Sequence, residues 1–450
     1  MANAVFRGST NWCDPPRIVA LLEPSRHGAI VSTPQSPLAY RDFRLFWIAR
    51  FAAVFATMAM VVVIGWQVYD IARSDYGMSP KQAAFQLGLI GIAQFLPLLL
   101  LTPLAGWVAD RFERRLIARL ANAIDMGCAA VLAVMTAQDA LTLPILFGLA
   151  AFHGVARVFV SPAMSAIAPN LVPPPVLPQA IAMSSIAWQS ASVGGPALGG
   201  LLYAISPASP YWFSVGALGV AIIALTLIKP IAPPVIKGNA HPVQQMIDGL
   251  RYVRRERFLF GAITLDLFAV LLAGATALLP VYARDILHVG PQGLGLLRAA
   301  PALGAAALAL WFSFWPLKYN VGVKMLWAVV VFGLATIVFG FSTNMLLSLS
   351  MLVLLGAADM LSVYVRSSLV QLNTPDEMRG RVSSVSMLAI SGSNELGEAQ
   401  SGVAAALLGP VGAVVFGGIG AICVTLLWAR LFPELRNART FEPTIKEVKS

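Results

Sequence analysis

Charge, histidine and cysteine are all scarce in this sequence of 450 residues. Lysine, arginine, aspartate and glutamate make up 12% of it, about half the share in soluble domains, whereas 58% of its residues are hydrophobic. Its four histidines and three cysteines show no metal-ligand spacing. Glycine-rich nucleotide loops and serine–histidine–aspartate patterns are missing too. These absences exclude a soluble domain and argue against an enzyme, a bound metal or a cofactor. We therefore expect an integral membrane protein.

The net charge of +10 does not indicate binding to nucleic acid. Most lysines and arginines fall in the polar segments that an alternating topology places on one side of the membrane. Short loops rich in lysine and arginine stay in the cytoplasm. This bias predicts a multi-pass protein of the bacterial inner membrane with both termini in the cytoplasm.

Twelve hydrophobic stretches are long enough to cross a hydrocarbon core of ~30 Å as helices. We place these spans at 44–69, 83–106, 115–136, 141–166, 178–204, 209–228, 258–282, 291–315, 323–342, 345–368, 383–408 and 410–431. The predicted fold class is an all-α integral membrane protein whose spans form two pseudo-symmetric six-helix bundles.

The longest polar stretch separates the two groups of six spans. The predicted parts are a cytoplasmic N-terminal tail (1–42), an N-terminal bundle (43–228), a linker (229–257), a C-terminal bundle (258–432) and a cytoplasmic tail (433–450). Repeated halves of this kind are typical of transporters that hold substrate near the midplane.

The linker contains a short amphipathic pattern. Met246, Ile247, Leu250 and Val253 recur at helical spacing, with arginines beside or opposite them. This pattern predicts a helix that lies on acidic lipid. A solvated loop is the alternative.

The loop between spans 2 and 3 carries Gly106, Asp110, Arg111, Arg114 and Arg115. The pattern resembles the loop signature of the major facilitator superfamily, although Glu113 stands where that family has glycine. In the family the motif is a conformational latch that bonds to neighbouring helix ends in one of two states. The resemblance implies the same fold and the same role here, whereas a charged anchor loop is the plainer interpretation.

Four segments resemble a bacterial branch of this superfamily, the transmembrane secretion effector family that includes the enterobactin exporter. They are Leu278–Asp285, Gly293–Pro301, Gln371–Arg381 and Ser393–Glu398. The third segment contains Arg379 and Arg381 before span 11. The resemblance implies that these two arginines face the latch across the pseudo-symmetry axis and belong to it.

Span 5 contains Gly195, Pro196, Gly199 and Gly200. Glycine permits close helix contact, and proline removes a backbone hydrogen bond and bends the helix. This motif predicts a kinked packing helix. It also resembles the span 5 motif of proton-coupled drug antiporters, which favours export over import.

Ionisable residues inside spans are costly and mark functional sites. Glu395 and Glu398 lie one turn apart in span 11, so both cannot be ionised cheaply, and we predict proton coupling there. Asp266 in span 7 and Asp359 in span 10 are further candidates, and structural carboxylates are the alternative. Asp125 and Arg157 lie at the same depth, which predicts a buried ion pair.

Five residues are candidates for a substrate cavity: Arg50, Trp188, Phe268, Arg298 and Tyr364. Arg298 could instead be the counter-ion of the acids. We predict a monomeric exporter of a small amphipathic or hydrophobic molecule, siderophore-like or drug-like, that works by alternating access and proton antiport. An importer or lipid facilitator on the same fold is the first alternative, and a membrane receptor or enzyme is the second.

Overall fold

The computed structural model describes residues 36–230 and 242–441. The predictions for most of both tails and for the first part of the linker therefore lie outside the described residues. Within those ranges the chain is almost entirely helical. The first six α-helices are α1 (Arg41–Ser74), α2 (Pro80–Arg111), α3 (Arg114–Ala137), α4 (Leu143–Ile167), α5 (Leu177–Ile205) and α6 (Ser209–Leu227).

The remaining α-helices form the second half of the chain. They are α7 (Pro242–Arg255), α8 (Arg257–Leu272), α9 (Leu279–Val281), α10 (Gly290–Phe314), α11 (Val321–Phe341), α12 (Met345–Leu372), α13 (Asp376–Leu408), α14 (Pro410–Leu431) and α15 (Pro433–Arg436). Every predicted span except the seventh coincides with one continuous helix. Among these continuous helices, the largest difference at a helix end is that α13 begins at Asp376 rather than at 383.

The seventh predicted span is broken rather than continuous. Helix α8 ends at Leu272, and a 3-10 turn, α9 and a π-helical turn follow as far as Ile286. The break lies where α13 crosses, because a Cβ atom on Gly274 would lie 2.5 Å from the carbonyl oxygen of Gly397. Hydrophobicity alone does not reveal such a crossing.

Ten helices of the described chain are long and apolar enough to cross a membrane. Helices α5 and α13 are equally long but carry more glycine and polar residues. Each of them packs against a helix of the other half, α5 against α10 and α13 against α2. Their glycine and polar residues therefore accompany close packing against the other half.

The buried apolar core divides at one end of the bundle. We call the end at which α1 ends and α2 begins the predicted periplasmic end, and the opposite end the predicted cytoplasmic end. One cluster joins the first half to residues near the predicted periplasmic end of the second half, such as Leu278 and Leu294. A separate cluster, with Leu259 and Leu369, fills the predicted cytoplasmic end of the second half. The halves therefore share a core at one end only.

Residues 242–255 form α7, where the sequence predicts an amphipathic helix. Val253 is buried against the second half, whereas Ile247 and Leu250 are exposed. Gly249 allows the helix to approach the backbone of α13 at Arg381.

Candidate functional site

Three helices converge near the middle of the bundle because glycines remove side chains from their contact faces. A Cβ atom on Gly91 of α2 would lie 2.8 Å from the carbonyl oxygen of Glu395 on α13. A Cβ atom on Gly154 of α4 would lie 3.0 Å from the carbonyl oxygen of Gln94 on α2. This close packing brings polar side chains from α2, α4 and α13 together.

Arg157 lies at the centre of this convergence. Its guanidinium donates to Gln94 Oε1 at 3.0 Å and to Glu395 Oε1 at 3.1 Å. The arginine side chain is 40% exposed and that of the glutamate 11%, so the ion pair is accessible mainly from the arginine side. Because Arg157 belongs to the first half and Glu395 to the second, this ion pair joins the two bundles.

The predicted ion pair between Asp125 and Arg157 is wrong. Asp125 Oδ1 lies 2.5 Å from His153 Nδ1, and Thr57 donates to Asp125 Oδ2 at 3.3 Å. His153 and Arg157 are one turn apart on α4, so both lie near the depth of Asp125. Depth alone could not decide between them, since the rotation of the helices selects the partner.

Glu398, one turn after Glu395, has a different partner. Arg298 of α10 approaches it at 3.5 Å and also donates to the carbonyl oxygen of Thr276 at 2.8 Å. Both partners belong to the second half. Of the two predicted roles for Arg298, the counter-ion role agrees with this contact.

Asp266 and Asp359 line one small cavity together with Ser362, between α8, α11 and α12. Its volume of about 10 Å³ leaves room for roughly one water molecule. Asp266 forms a buried ion pair with Arg366 of α12. Asp359 has no hydrogen-bond or ion-pair partner among the described residues.

The glycines of the α5 motif are contact points. A Cβ atom on Gly199 would lie 2.9 Å from the carbonyl oxygen of Ala59 on α1, and one on Gly195 would lie 2.7 Å from Met58 Cβ. A Cβ atom on Gly200 would collide with the carbonyl oxygen of Pro291 at the start of α10. The motif, which includes Pro196 inside the helix, therefore packs α5 against both halves.

The arginines of the predicted latch contact helix ends of the first half. Arg114 donates to the carbonyl oxygen of Ala166 at the end of α4, at 3.0 Å, and Arg115 donates to that of Ile228 after α6. Cations at helix C-termini satisfy free carbonyl groups and the helix dipole.

The other latch residues are less closely grouped. Arg381 lies 3.8 Å from Asp248 of α7, and Arg379 is exposed. Arg111 ends α2. Gly106 and Asp110 lie in the last turns of α2, and the structure does not describe the surroundings of the Asp110 side chain.

The five predicted cavity residues have different neighbours. Phe268 packs against Trp428 of α14, with ring centroids 5.4 Å apart, and Tyr364 packs against Phe312 at 5.2 Å. Trp188 is exposed, and next to it Gln189 donates across the halves to the carbonyl oxygen of Ala302. Arg50 is half-buried, and its Nε atom has no partner in the described chain. Among the described residues, no ring contact or hydrogen bond joins these four residues to one another or to Arg298.

A charge cluster that the sequence reasoning missed joins the halves at the predicted periplasmic end. Asp285 accepts from Tyr69 at 2.5 Å and pairs with Arg73 at 3.3 Å. Arg284 pairs with Asp70 at 2.8 Å and donates to Ser74 at 3.0 Å. We call these six residues the periplasmic clasp.

A sequence signal for the clasp was available. The end of α1 and the π-helical turn each place an acid and an arginine close together. Such charges at span ends are also common as lipid anchors, so only the fold identifies them as partners.

Solved transporters share this arrangement of helices. A bacterial homologue of the human lysosomal transporter Spinster, in an inward-facing and unoccupied conformation, aligns with a TM-score of 0.66 at 15% identity, covering 89% of this chain and 97% of that one. A bacterial homologue of the iron transporter ferroportin, in an inward-facing state, gives a TM-score of 0.64 at 17% identity over 90% of this chain and all of the other. At this identity the likeness shows the fold alone, which confirms the predicted all-α transporter fold.

Relatives of known name are exporters. The enterobactin exporter EntS of Citrobacter koseri is 28% identical over 405 residues, which cover 89% of this chain and 94% of the relative. EntS of Shigella dysenteriae is 26% identical over 407 residues, with coverages of 90% and 94%. These relatives and the solved structures are transporters rather than enzymes. The sequence profile of the transmembrane secretion effector family matches residues 32–444, and the chain therefore belongs to this family of multi-pass membrane proteins within the major facilitator superfamily.

Proposed function

We propose that the protein exports a small amphipathic or hydrophobic molecule across the bacterial inner membrane, by alternating access and in exchange for protons. The exporters among its relatives support the direction and a siderophore-like or drug-like substrate. The shared core at the predicted periplasmic end and the divided core at the other support an inward-facing state. We further propose that both termini lie in the cytoplasm, which the excess of lysine and arginine in the predicted cytoplasmic segments supports.

The Arg157–Glu395 pair carries the proposal of proton coupling. This pair joins the halves, so rocking of one half against the other must break or remake it. A proton on Glu395 removes the negative charge and releases Arg157, which lowers the barrier to separation of α4 and α13. Protonation of Glu395 is thereby linked, through this one ion pair, to the change between the inward-facing and outward-facing states.

The other acids are less suited to this role. Glu398 and Asp266 pair with arginines of their own half, so protonating them does not release the other bundle. Asp359 lacks a described partner, and an unpaired carboxyl in an apolar place is accommodated most cheaply when it is protonated. We rank Glu395 first and Asp359 second.

The latch and the cavity residues complete the proposal. Arg114 and Arg115 hold the ends of α4 and α6, and together with the rest of the motif they stabilise one of the two states. Arg50, whose Nε atom has no partner among the described residues, is a candidate contact for substrate, and Arg157 is released from the second half when Glu395 is protonated. The protein acts as a monomer, because the two halves already complete each other's core.

The test is transport into proteoliposomes with an acidic lumen, using enterobactin and the dye ethidium as separate probes. We expect gradient-driven uptake of at least one probe, and Glu395→Gln to lower that uptake by at least about fivefold, the lower range of coupling between two sites. Glu434→Gln is the matched control, because Glu434 forms an exposed ion pair with Arg257 outside the bundle core and should leave uptake unchanged.

Three results would change the proposal. Gradient-driven uptake that Glu395→Gln leaves intact moves the proton site to Asp359. Uptake that ignores the gradient rejects antiport and favours the lipid facilitator or another passive carrier. Uptake driven only by an alkaline lumen indicates import.

A further inference from the structure

Helix α7 has one face that packs against the second half and an opposite face that is exposed. Gly249 is buried, and Val253 is 2% exposed within the apolar core at the predicted cytoplasmic end. The residues of the opposite face recur at the i, i+3, i+4, i+7 and i+8 spacing of one side of a helix, and we call them the outer face: Ile247, Leu250, Arg251, Arg254 and Arg255. The apolar pattern of the linker is therefore divided between the protein and its surroundings.

The outer face combines apolar side chains with arginines. Ile247 is 40% exposed, Leu250 is 57% exposed, and the side chain of Arg251 is 65% exposed. Arg254 and Arg255 are exposed as well. Water is an unfavourable environment for aliphatic side chains, whereas the boundary between the headgroups and the acyl chains of a bilayer accommodates both kinds of residue.

The positive charge of the outer face is only partly balanced by the protein. Asp248 is the one acid of α7, and it is shared, because Arg251 donates to its Oδ1 atom at 3.5 Å while Arg381 of α13 lies 3.8 Å from its Oδ2 atom. Arg254 and Arg255 have no ion-pair or hydrogen-bond partner among the described residues. Two guanidinium groups are thus available to an anionic ligand.

The position of α7 in the chain favours a membrane lipid as this ligand. Helix α8 begins at Arg257, two residues after the end of α7, and it opens a segment that is long and apolar enough to cross a membrane. The last turn of α7 therefore lies close to the point where the chain enters the bilayer. The lysine and arginine bias predicts that this point is at the cytoplasmic leaflet, whose anionic lipids attract basic segments.

We propose that the outer face of α7 binds the headgroups of anionic phospholipids, with its two aliphatic side chains between the upper parts of the acyl chains and its arginines on the phosphates. Arginine suits this ligand because its planar guanidinium donates two parallel hydrogen bonds to a phosphate. Gly249 lets α7 lie against α13 at Arg381, so lipid on the outer face holds the helix in this position. The site is separate from that of the transported molecule and does not depend on the direction or coupling of transport.

Lipid retention on the purified full-length protein tests the proposal. The protein in detergent is titrated with phosphatidylglycerol or with phosphatidylethanolamine, and native mass spectrometry counts the lipids that stay bound. We expect a preference for phosphatidylglycerol that Arg254→Gln combined with Arg255→Gln lowers by at least about fivefold, the contribution of one basic residue near an anionic surface. A higher salt concentration should weaken the preference of the wild type.

Two further double variants separate the outer face from charge in general and from helix structure. Lys318→Gln combined with Lys324→Gln removes two charges from exposed sites at the same end and should keep the preference. Arg254→Lys combined with Arg255→Lys keeps both charges and should retain most of the preference. Equal losses in the two glutamine variants would reject the outer face as the site. A preference that Arg254→Gln combined with Arg255→Gln leaves intact, or its absence in the wild type, would reject it as well.

Hydrogen exchange in nanodiscs tests whether lipid holds α7 in place, and it can be measured on the wild type alone. In discs of phosphatidylcholine that contain phosphatidylglycerol, the backbone amides of α7 should exchange at least about fivefold more slowly than in phosphatidylcholine alone, because a ligand stabilises the state that binds it. The variant that lacks both arginines should exchange at similar rates in the two kinds of disc. Equal rates in the wild type would overturn the proposal.

Discussion

Most of the acids inside the spans have a basic partner. Burial of a single charge between helices is expensive, so such residues occur in pairs. The pairs are Glu395–Arg157, Glu398–Arg298, Asp266–Arg366 and Asp125–His153. Only the first pair crosses between the halves, which separates a contact that must change during transport from contacts that can stay intact.

The Asp266–Arg366 pair should be important for stability. Its side chains are 10% and 6% exposed, so Asp266→Asn would leave a buried guanidinium without its counter-charge. We expect a loss of about 3 to 5 kcal/mol in the free energy of unfolding, which is typical of a broken buried pair. The measurement is the thermal unfolding midpoint of the purified protein in detergent.

Two further variants sharpen this prediction. Asp266→Asn combined with Arg366→Met removes both charges and should recover most of the lost stability. Asp248→Asn weakens two partly exposed contacts, with Arg251 and with Arg381, and should change the midpoint little. Equal losses in the single and double variants would contradict the argument.

The sequence identified the acids of the site but not all of their partners. Glu395, Glu398, Asp266 and Asp359 stand out because any charge inside an apolar run is unusual. Partner choice depends on how each helix is rotated and which helix faces it, and hydrophobic periodicity in an almost uniformly apolar span fixes neither. His153 does not stand out in the sequence, because a lone histidine in a span carries no charge pattern.

At the scale of the helices, glycine sets the spacing between the halves. Gly88 of α2 faces Gly402 of α13, where an added Cβ would lie 2.8 Å from the opposite Cα atom. On the other side, Gly200 of α5 meets the start of α10. Both contacts lie toward the predicted periplasmic end, where the core is shared.

Gly200→Ala should push α5 away from α10. The added methyl group would collide with the carbonyl oxygen of Pro291, so the helices must separate or the chain must shift. Because alanine favours helices more than glycine does, any loss is due to this collision. We expect a lower thermal unfolding midpoint and slower uptake of the transported probe.

Gly219→Ala on α6 is the matched control for this substitution. Nothing in the described chain lies within 4 Å of a Cβ atom built on Gly219. Its midpoint and uptake should equal or exceed those of the wild type. A Gly200→Ala protein that behaves like this control would show that the α5–α10 contact can accommodate an added methyl group.

The helices themselves were largely predictable from the sequence. Spans such as 209–228 and 410–431 are continuous apolar runs that end at prolines or charges, and their length alone defines them. The break at Gly274 was not predictable, because it depends on the carbonyl oxygen of Gly397, more than a hundred residues further along the chain. The local composition around residue 274 does not indicate that another helix crosses there.

For the whole molecule, the periplasmic clasp and the divided core are features of one conformational state of a carrier whose two halves rock against each other. Two arginines and two aspartates connect the end of α1 to the π-helical turn. Exposed ion pairs are individually weak, but several joined into a network with a tyrosine can bias an equilibrium between two states.

Arg284→Ala should shift the population toward the outward-open state. This change removes the contacts with Asp70 and Ser74. Spin labels at Gln138 and Thr343, on exposed loops of the two halves, would report the separation after the native cysteines are replaced. We expect a new population at longer distance.

The control for the clasp is an exposed ion pair elsewhere. Arg257→Ala removes a contact with Glu434 near the other end of the second half and should leave the distances unchanged. An identical distribution in Arg284→Ala would show that the apolar core alone holds this end closed.

The modest hydropathy of α5 and α13 has a consequence for how the protein is made. A helix leaves the translocation channel for lipid in proportion to its apolar character. Within the described residues these two long helices are the ones that fall short of the apolar level of the other spans. Helix α5 can pack against α1, which is already in the membrane, and α13 can pack against α2 in the same way. Completion of each half during synthesis therefore depends on helices that the ribosome has delivered earlier.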